Sequence, residues 1–381
     1  MPKLRNREKL DKIEIAYEKG QRKVKCFCEE TFNRSIVRHL RRDHTSEWES
    51  WCLDFVRLRN EGLSYYRIIH ELKTKDGKLL FTSKVVRNEI LRLVEEKKAK
   101  LKIPRKKSIA RWHPENFTIQ RETLWTFKNR GGWAVHQGDY HGNWSPRIPR
   151  ALIELYSKEG DTVLDPFVGG GTTLIETWLT NRRGIGLDIS PLAVATSKAR
   201  IQEMAERALR DERVTLKEEL RPVAIKGDAR RLGDHLQSLG ISGNSVKLVC
   251  AHPPYLDALR YTATIEGDLS HISEPTVFCD QLQLIAKQIF TLLAENGTCA
   301  VLTGDVRKKK RIIPLGFLIL ERFLEEGFLL TDIIIKGQYN DSSTRFWYVK
   351  RDKIDFLLSH EYLLIFRKTP SSNKPSDRLI E

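Results

Sequence analysis

The chain has 381 residues, room for about two domains, and carries a formal net charge of +16. No apolar run approaches the ~18 residues of a membrane span, the opening MPKLRNREKLDK lacks the apolar core of a secretory signal, and the six cysteines (Cys250, Cys279 and Cys299 single, Cys52 alone, Cys26 and Cys28 together) form no disulfide framework. These features disfavour a membrane or secreted protein and lead us to expect a cytoplasmic one. The charge is unevenly placed: residues 1–111 hold 30 Lys and Arg against 16 Asp and Glu, so this stretch carries +14 of the total. Such a segment points to a polyanionic partner, because Lys and Arg that neutralise phosphates release condensed counterions.

The first pattern is Cys26-x-Cys28 followed by His39 and His44, or C-x-C-x10-H-x4-H, within residues 22–45. It resembles a C2H2-like zinc finger, with a knuckle and loop shorter than the usual spacing. Phe32 and Ile36 fall where such a finger places its small core. His39 and His44 are expected to share a helix face. Two thiolates and two imidazoles suit a structural, tetrahedral zinc.

Over residues 52–97, Phe55 to Leu72 reads as helix, Gly62 turn, helix, and Thr82-Ser83 opens a further helix as a cap. This resembles a helix-turn-helix, and the resemblance makes Ser83, Lys84, Arg87 and Asn88 the groove-reading side. Residues 1–100 are thus expected to form a basic DNA-binding module. The run EEKKAKLKIPRKKS lacks apolar periodicity and contains a proline, which places a linker at 101–111.

From 112 to 368, short apolar runs alternate with helical patterns. Strands are expected at 162–167, 184–189, 224–229, 246–254, 298–306, 330–337 and 361–368, and helices near 146–157, 172–180, 191–209, 276–295 and 314–326. The alternation predicts an α/β, Rossmann-like, mostly parallel sheet of seven strands with its ligand at the carboxyl ends of the strands. Residues 369–381 read as a frayed tail.

The first of these strands runs into Asp165-Pro166-Phe167-Val-Gly169-Gly-Gly171-Thr172-Thr173 and then a helix. Glycines let the backbone approach a ligand, and the helix that follows offers free N–H groups. The next strand ends on Asp188, placed for ribose hydroxyls; the third ends on Gly227-Asp228, suited to an adenine edge. DPFVGGGTTLIE resembles the DPFxGSGTT motif of the amino-methylating DNA methyltransferases, the adenine-N6 and cytosine-N4 enzymes, with Gly170 where many relatives have Ser. The preceding HGNWSPRIPRALIELYSKEGD (141–161) resembles the same family's segment over the methionine end of the cofactor, which implicates Ser145 and Arg147. The resemblance covers roughly residues 130–368. It implies S-adenosyl-L-methionine as methyl donor and a methyltransferase sheet whose last strand is antiparallel.

The fourth strand ends in Ala-His252-Pro253-Pro254-Tyr255, which resembles the family's D/N/S-P-P-Y/F catalytic loop. An exocyclic amine is a poor nucleophile because its lone pair is conjugated into the ring. A polar side chain and a backbone carbonyl can accept its two N–H groups and free that lone pair. The prolines stiffen the loop, and the tyrosine stacks on a base flipped from the duplex. His252 departs from the family pattern. A neutral imidazole can accept a hydrogen bond and an imidazolium cannot, so activity is expected to fall through the ordinary imidazole range near ~6.5. His252 lacks the carboxylate typical of adenine enzymes, which puts cytosine N4 slightly ahead of adenine N6. No Pro-Cys dipeptide occurs, which disfavours the cytosine-C5 class, where a thiolate attacks the ring. After the fifth and sixth strands, Arg307, Arg345, Trp347 and Tyr348 are candidates for DNA phosphate or stacking contacts.

The function expected is site-specific methylation of double-stranded DNA by a prokaryotic, nucleoid-associated protein, with a cognate restriction endonuclease as a candidate partner. The alternatives are an RNA base methyltransferase and a DNA-binding regulator on a methyltransferase scaffold.

Overall fold

The computed structural model describes residues 4–18, 21–33, 35–308, 311–338 and 356–369. They fall into two compact units, one of residues 1–103 with Tyr261–Thr264 and one of Pro104–Arg260 with Ile265–Glu381.

In the first unit, helix α1 (Arg7–Asp11) leads into an antiparallel sheet of β1 (Glu14–Glu18), β2 (Gln21–Lys25) and β3 (Thr31–Asn33). Helices α2 (Val37–Asp43), α3 (Thr45–Asn60), α4 (Tyr65–Glu71) and α5 (Ser83–Glu95) follow. Apolar residues at helical spacing on α3 (Trp48, Trp51, Phe55, Leu58) and α5 (Val86, Ile90, Leu93) make one buried core. The Ser64 hydroxyl accepts from Arg67 N to start α4, and Thr82 accepts from Val85 N to start α5. The polar side of α5 holds the expected groove readers: Lys84 is exposed, while Ser83, Arg87 and Asn88 are half-buried.

The second unit is built on an eight-stranded sheet. Its strands are β4 (Leu124–Thr126), β5 (Thr162–Asp165), β6 (Arg183–Asp188), β7 (Val223–Lys226), β8 (Val246–Ala251), β9 (Leu293–Thr303), β12 (Phe328–Gly337) and β13 (His360–Lys368). A separate hairpin, β10 (Val306–Lys308) with β11 (Arg311–Ile313), lies between β9 and β12 in the chain. The sheet order is β4-β12-β13-β9-β8-β5-β6-β7. Only β13 runs antiparallel to its neighbours β9 and β12. The seven expected strands are joined by an eighth, β4, which pairs parallel to the edge of β12. Three residues are too short to show a period in sequence.

Helices α6 (Arg147–Tyr156), α7 (Thr172–Leu179) and α8 (Pro191–Ala208) cover one face of this sheet, and α9 (Leu232–Gln237), α10 (Pro275–Leu292) and α11 (Leu315–Glu325) cover the other. Successive strand residues serve opposite faces. Val163, Leu248 and Leu363 pack under Ile148 and Leu152 of α6, while Leu164, Val249 and Leu364 pack under α9–α11. The chain leaves β5 for β6 and β7 on one side and returns to β8 on the other. The crevice beyond the carboxyl ends of β5 and β8 is therefore a topological switch point, where open α/β sheets bind ligands.

The stretch expected to be a linker is in part anchored. Lys106 N donates to Glu203 of α8 at 3.0 Å, and Arg213 donates to the Ala110 carbonyl at 2.9 Å.

Candidate active site and candidate metal centre

The loop after β5 is shaped by its own sequence. Asp165, 2% exposed, accepts from Phe167 N at 3.0 Å and from the Thr173 hydroxyl, and burial pushes its carboxyl up to about 7. It braces the loop from beneath, next to buried Pro166. Gly169 (φ +48°) and Gly171 (φ +78°) take left-handed backbone conformations that other residues adopt only under strain. Gly169 N donates to Asp188 Oδ2 and Ser190 N donates to Asp188 Oδ1, both at 2.9 Å. Burial pushes Asp188 up to about 6. Asp188 remains only half-buried, so its oxygens keep capacity to accept ligand hydroxyls.

Gly170 has a specific reason to differ from Ser. The buried Arg200 of α8 donates to the Gly170 carbonyl and pairs with Asp139. A Cβ at position 170 would lie 2.5 Å from Arg200 Nη1 and 3.1 Å from Tyr140.

The segment before α6 lies over this loop. Asn143 accepts from the Thr172 hydroxyl, and the Tyr140 ring stands 3.1 Å from where a Cβ on Gly169 would sit. The Ser145 hydroxyl donates to the Arg130 carbonyl at 2.6 Å and accepts from Arg147 N, the first residue of α6, at 3.3 Å. The Arg147 guanidinium lies over the Trp133 ring at 5.9 Å. Asp228, just beyond the end of β7, is half-buried and gripped by the Arg230 side chain.

Beside this loop, β8 delivers His252-Pro253-Pro254-Tyr255 to the adjacent strand end. His252 lines a cavity of about 550 Å³ with Phe127, Arg130, Trp144, Tyr255 and Glu361, within the size range of small-molecule sites. The Trp144 ring stacks on His252 at 5.6 Å with 24° between planes. His252 Nε2 lies 3.0 Å from Tyr255 Oη, Tyr255 Oη donates to Glu361 at 2.9 Å, and Lys336 pairs with the other Glu361 oxygen at 2.7 Å. Burial pushes the imidazole down to about 4, with Glu361 pulling it up and Lys336 pressing it further down. The acid limb expected near the ordinary imidazole range therefore moves to lower pH. Gly304 leaves room for this arrangement, since a Cβ there would lie 3.2 Å from Tyr255 and 3.3 Å from Glu361.

Arg307, on β10, donates to the Phe356 carbonyl at 2.9 Å. Arg345, Trp347 and Tyr348 lie outside the described residues. Sequence reasoning missed Arg200, Lys336 and Glu361. Gly170 in place of Ser was the one local sign of a bulky neighbour, and Glu361 stands out as a carboxylate opening the apolar run EYLLIF.

In the first unit, Cys26 and Cys28 lie in the turn between β2 and β3, His39 is on α2, and His44 sits at the junction of α2 and α3. The expectation that both histidines share one helix face is corrected here: the backbone leaves the helix at His44 (φ −133°, ψ 47°). The break still brings the four side chains together, with ligand atoms all within 4.8 Å of one another. Ligand atoms around a tetrahedral zinc lie about 3.3–3.8 Å apart. Cys28 Sγ is 3.2 Å from His39 Nε2, and the other ring nitrogen of His39 contacts Asp43 at 2.7 Å, the type of outer contact that orients a metal-ligating imidazole. His44 Nε2 is buried without a hydrogen-bond partner among the described residues.

A glycine loop after β5, a carboxylate ending β6 and a Pro-Pro loop ending β8, on a sheet with one antiparallel strand, define a methyltransferase fold of the S-adenosylmethionine-dependent class. The sequence profile of the N6/N4 DNA methylase family matches residues 17–199. That match covers just under half of the chain and supports the amino-methylating DNA methyltransferase family, with S-adenosyl-L-methionine as cofactor. It is 33% identical over 100 residues (24% of this chain, 29% of the relative) to the Type II methyltransferase M.BglI of Bacillus subtilis. It is also 30% identical over 132 residues (34% and 33%) to the tRNA (guanine(10)-N2)-dimethyltransferase of Methanocaldococcus jannaschii. A candidate DNA modification methylase of Thermus thermophilus, solved with S-adenosyl-L-methionine, matches at 28% identity over 40% of this chain and 57% of that one, with a TM-score of 0.28. The chain matches a third or less of the length of these two curated relatives. Among the described residues, no helix is long and apolar enough to cross a membrane.

Proposed function

We propose that this protein methylates the exocyclic amine of a base in double-stranded DNA, with cytosine N4 slightly ahead of adenine N6. The observation that carries this reading is the juxtaposition, at the switch point, of the glycine loop of β5 with His252 at the end of β8, above a cavity walled by aromatic rings. When bound, S-adenosyl-L-methionine supplies a sulfonium-activated methyl group. Asp188 is the residue for its ribose hydroxyls, and the left-handed glycines let Gly169–Gly171 pass close to it. His252, neutral at physiological pH, accepts from the target amine and draws its lone pair out of conjugation. Tyr255 and Trp144 offer faces for the flipped base. Positioning then supplies much of the acceleration.

The basic first unit serves DNA affinity on this reading, with Lys84 among the phosphate contacts. Cys26, Cys28, His39 and His44 fit a structural zinc. One equivalent of zinc by elemental analysis, lost in a Cys26→Ser/Cys28→Ser variant, is the expected result; metal-free folded protein would overturn the assignment. A cognate restriction endonuclease is proposed on the names of the Type II relatives alone.

A second reading, methylation of a guanine amine in RNA, is favoured by the 132-residue similarity to the tRNA enzyme. Transfer of labelled methyl groups by the purified full-length chain to duplex DNA or to tRNA tests both. Label in DNA, absent with His252→Ala, supports the first reading; label only in tRNA supports the second.

A further inference from the structure

His252 poses a problem that Asp, Asn or Ser at this position would not. A carboxylate, amide oxygen or hydroxyl always presents a lone pair, whereas a neutral imidazole accepts at only one of its two nitrogens. Which nitrogen carries the hydrogen is set by the partner of the other one.

We infer that Glu361, acting through the Tyr255 hydroxyl, is a positioning residue that holds His252 in its Nε2–H tautomer and leaves Nδ1 as the acceptor for the target amine. The inference rests on the reading that His252 faces that amine. Lys336 Nζ, which can only donate, occupies one Glu361 oxygen at 2.7 Å and supplies the counter-charge for a carboxylate that is 8% exposed. The other Glu361 oxygen, 2.9 Å from Tyr255 Oη, receives the single hydroxyl hydrogen. Tyr255 Oη therefore turns a lone pair toward His252 Nε2, 3.0 Å away, and the imidazole supplies the hydrogen for that contact. Nδ1 is then unprotonated, and among the described residues no hydrogen-bond partner occupies it. Trp144, stacked on the ring, keeps the imidazole from turning over. Glu361 is on β13 and Lys336 on β12, so a rigid sheet, rather than the catalytic loop itself, sets the proton's position.

The test is nitrogen NMR of the full-length chain with labelled histidine, the His252 signals being assigned by their loss in a His252→Asn variant. The wild-type chain is expected to show a protonated Nε2 and an unprotonated Nδ1. In Glu361→Gln, Lys336 still demands an acceptor, so the amide oxygen turns to Lys336 and the NH2 group faces Tyr255. The hydroxyl then reverses toward His252 Nε2, and the proton moves to Nδ1. That variant is expected to lose about tenfold or more in kcat, a single mispaired hydrogen bond at the reacting amine, with KM for the cofactor unchanged. Tyr255→Phe, which keeps the ring and removes the hydroxyl, should give mixed tautomers. An Nδ1–H tautomer in the wild-type chain overturns the inference even if no variant folds. An unchanged tautomer in Glu361→Gln also overturns it and reduces Glu361 to a structural ion pair. The tautomer is read without turnover. An Nε2–H signal in a protein that methylates nothing would leave the relay standing and remove the proposed function instead.

Discussion

The loops at the ends of β5 and β8 sit at neighbouring strand ends and are built in opposite ways. After β5 the two carboxylates that shape the loop find their partners within about 25 residues of chain: Asp165 binds Phe167 and Thr173, and Asp188 binds Gly169 and Ser190. Asn143, Ser197 and Arg200 reach the loop from helices and segments about thirty residues away. After β8 the loop supplies a histidine, two prolines and a tyrosine, while the groups that orient them arrive from β12, β13 and the segment before α6. A loop braced chiefly by its own carboxylates suits a cofactor that is the same in every turnover. A loop finished by distant strands can be tuned to a substrate without disturbing the first.

If that division holds, substitutions in the two loops should separate cleanly in kinetics. The largest effect is expected for His252→Ala, a loss of about 10²–10³ in kcat, the scale of removing one preorganised hydrogen-bonding group. Calorimetric affinity for the cofactor should be unchanged; a parallel loss of affinity would break the comparison. Asp188→Asn should act the other way, raising the cofactor KM about 10- to 100-fold as a charge-assisted acceptor is lost, with kcat near wild type.

A pH series sharpens the same contrast. Burial holds the Asp188 carboxyl up at about 6, so below that pH it is protonated and accepts less well. The cofactor KM should rise as pH falls through about 6 and stay flat above it. His252 is held down at about 4, so it stays an acceptor throughout that window, and kcat should be level from pH 8 to about pH 5. A kcat limb near 6.5 would mean that the imidazole is solvated as in a free peptide. The smallest effect is expected for Gly170→Ser. The added Cβ meets Arg200 and costs about 1–3 kcal/mol as overpacking, seen as a lowered melting temperature. An Arg200→Ala/Gly170→Ser pair should cost less than the sum of the single changes.

The glycine loop was legible in the sequence because its partners are close along the chain: DPFVGGGTT and the Asp188 strand end fall within one helix and one strand of each other. His252 and Tyr255 were legible as a motif, but their environment was not. Glu361 is 106 residues from the Tyr255 hydroxyl it binds, and no local pattern links the two. The same reason hid Arg200 behind Gly170, and the ordinary imidazole range failed for His252 because burial cannot be read from a four-residue loop. The strands and helices of the second unit were legible because buried parallel strands are continuous apolar runs. Strand β4, with three residues, carries no period. In the first unit the cysteine and histidine spacing was visible, but the helix break at His44 that brings His44 to Cys26 was not.

The methylated product is the most direct readout of what the His252 loop does. DNA from a methylation-free host expressing the full-length chain, digested to nucleosides and analysed by mass spectrometry, should contain N4-methylcytosine or N6-methyladenine. The modified base should be absent when His252 is replaced by Ala. Unmodified DNA from cells holding folded, cofactor-bound protein would contradict the claim that the His252 loop acts on an amine of DNA.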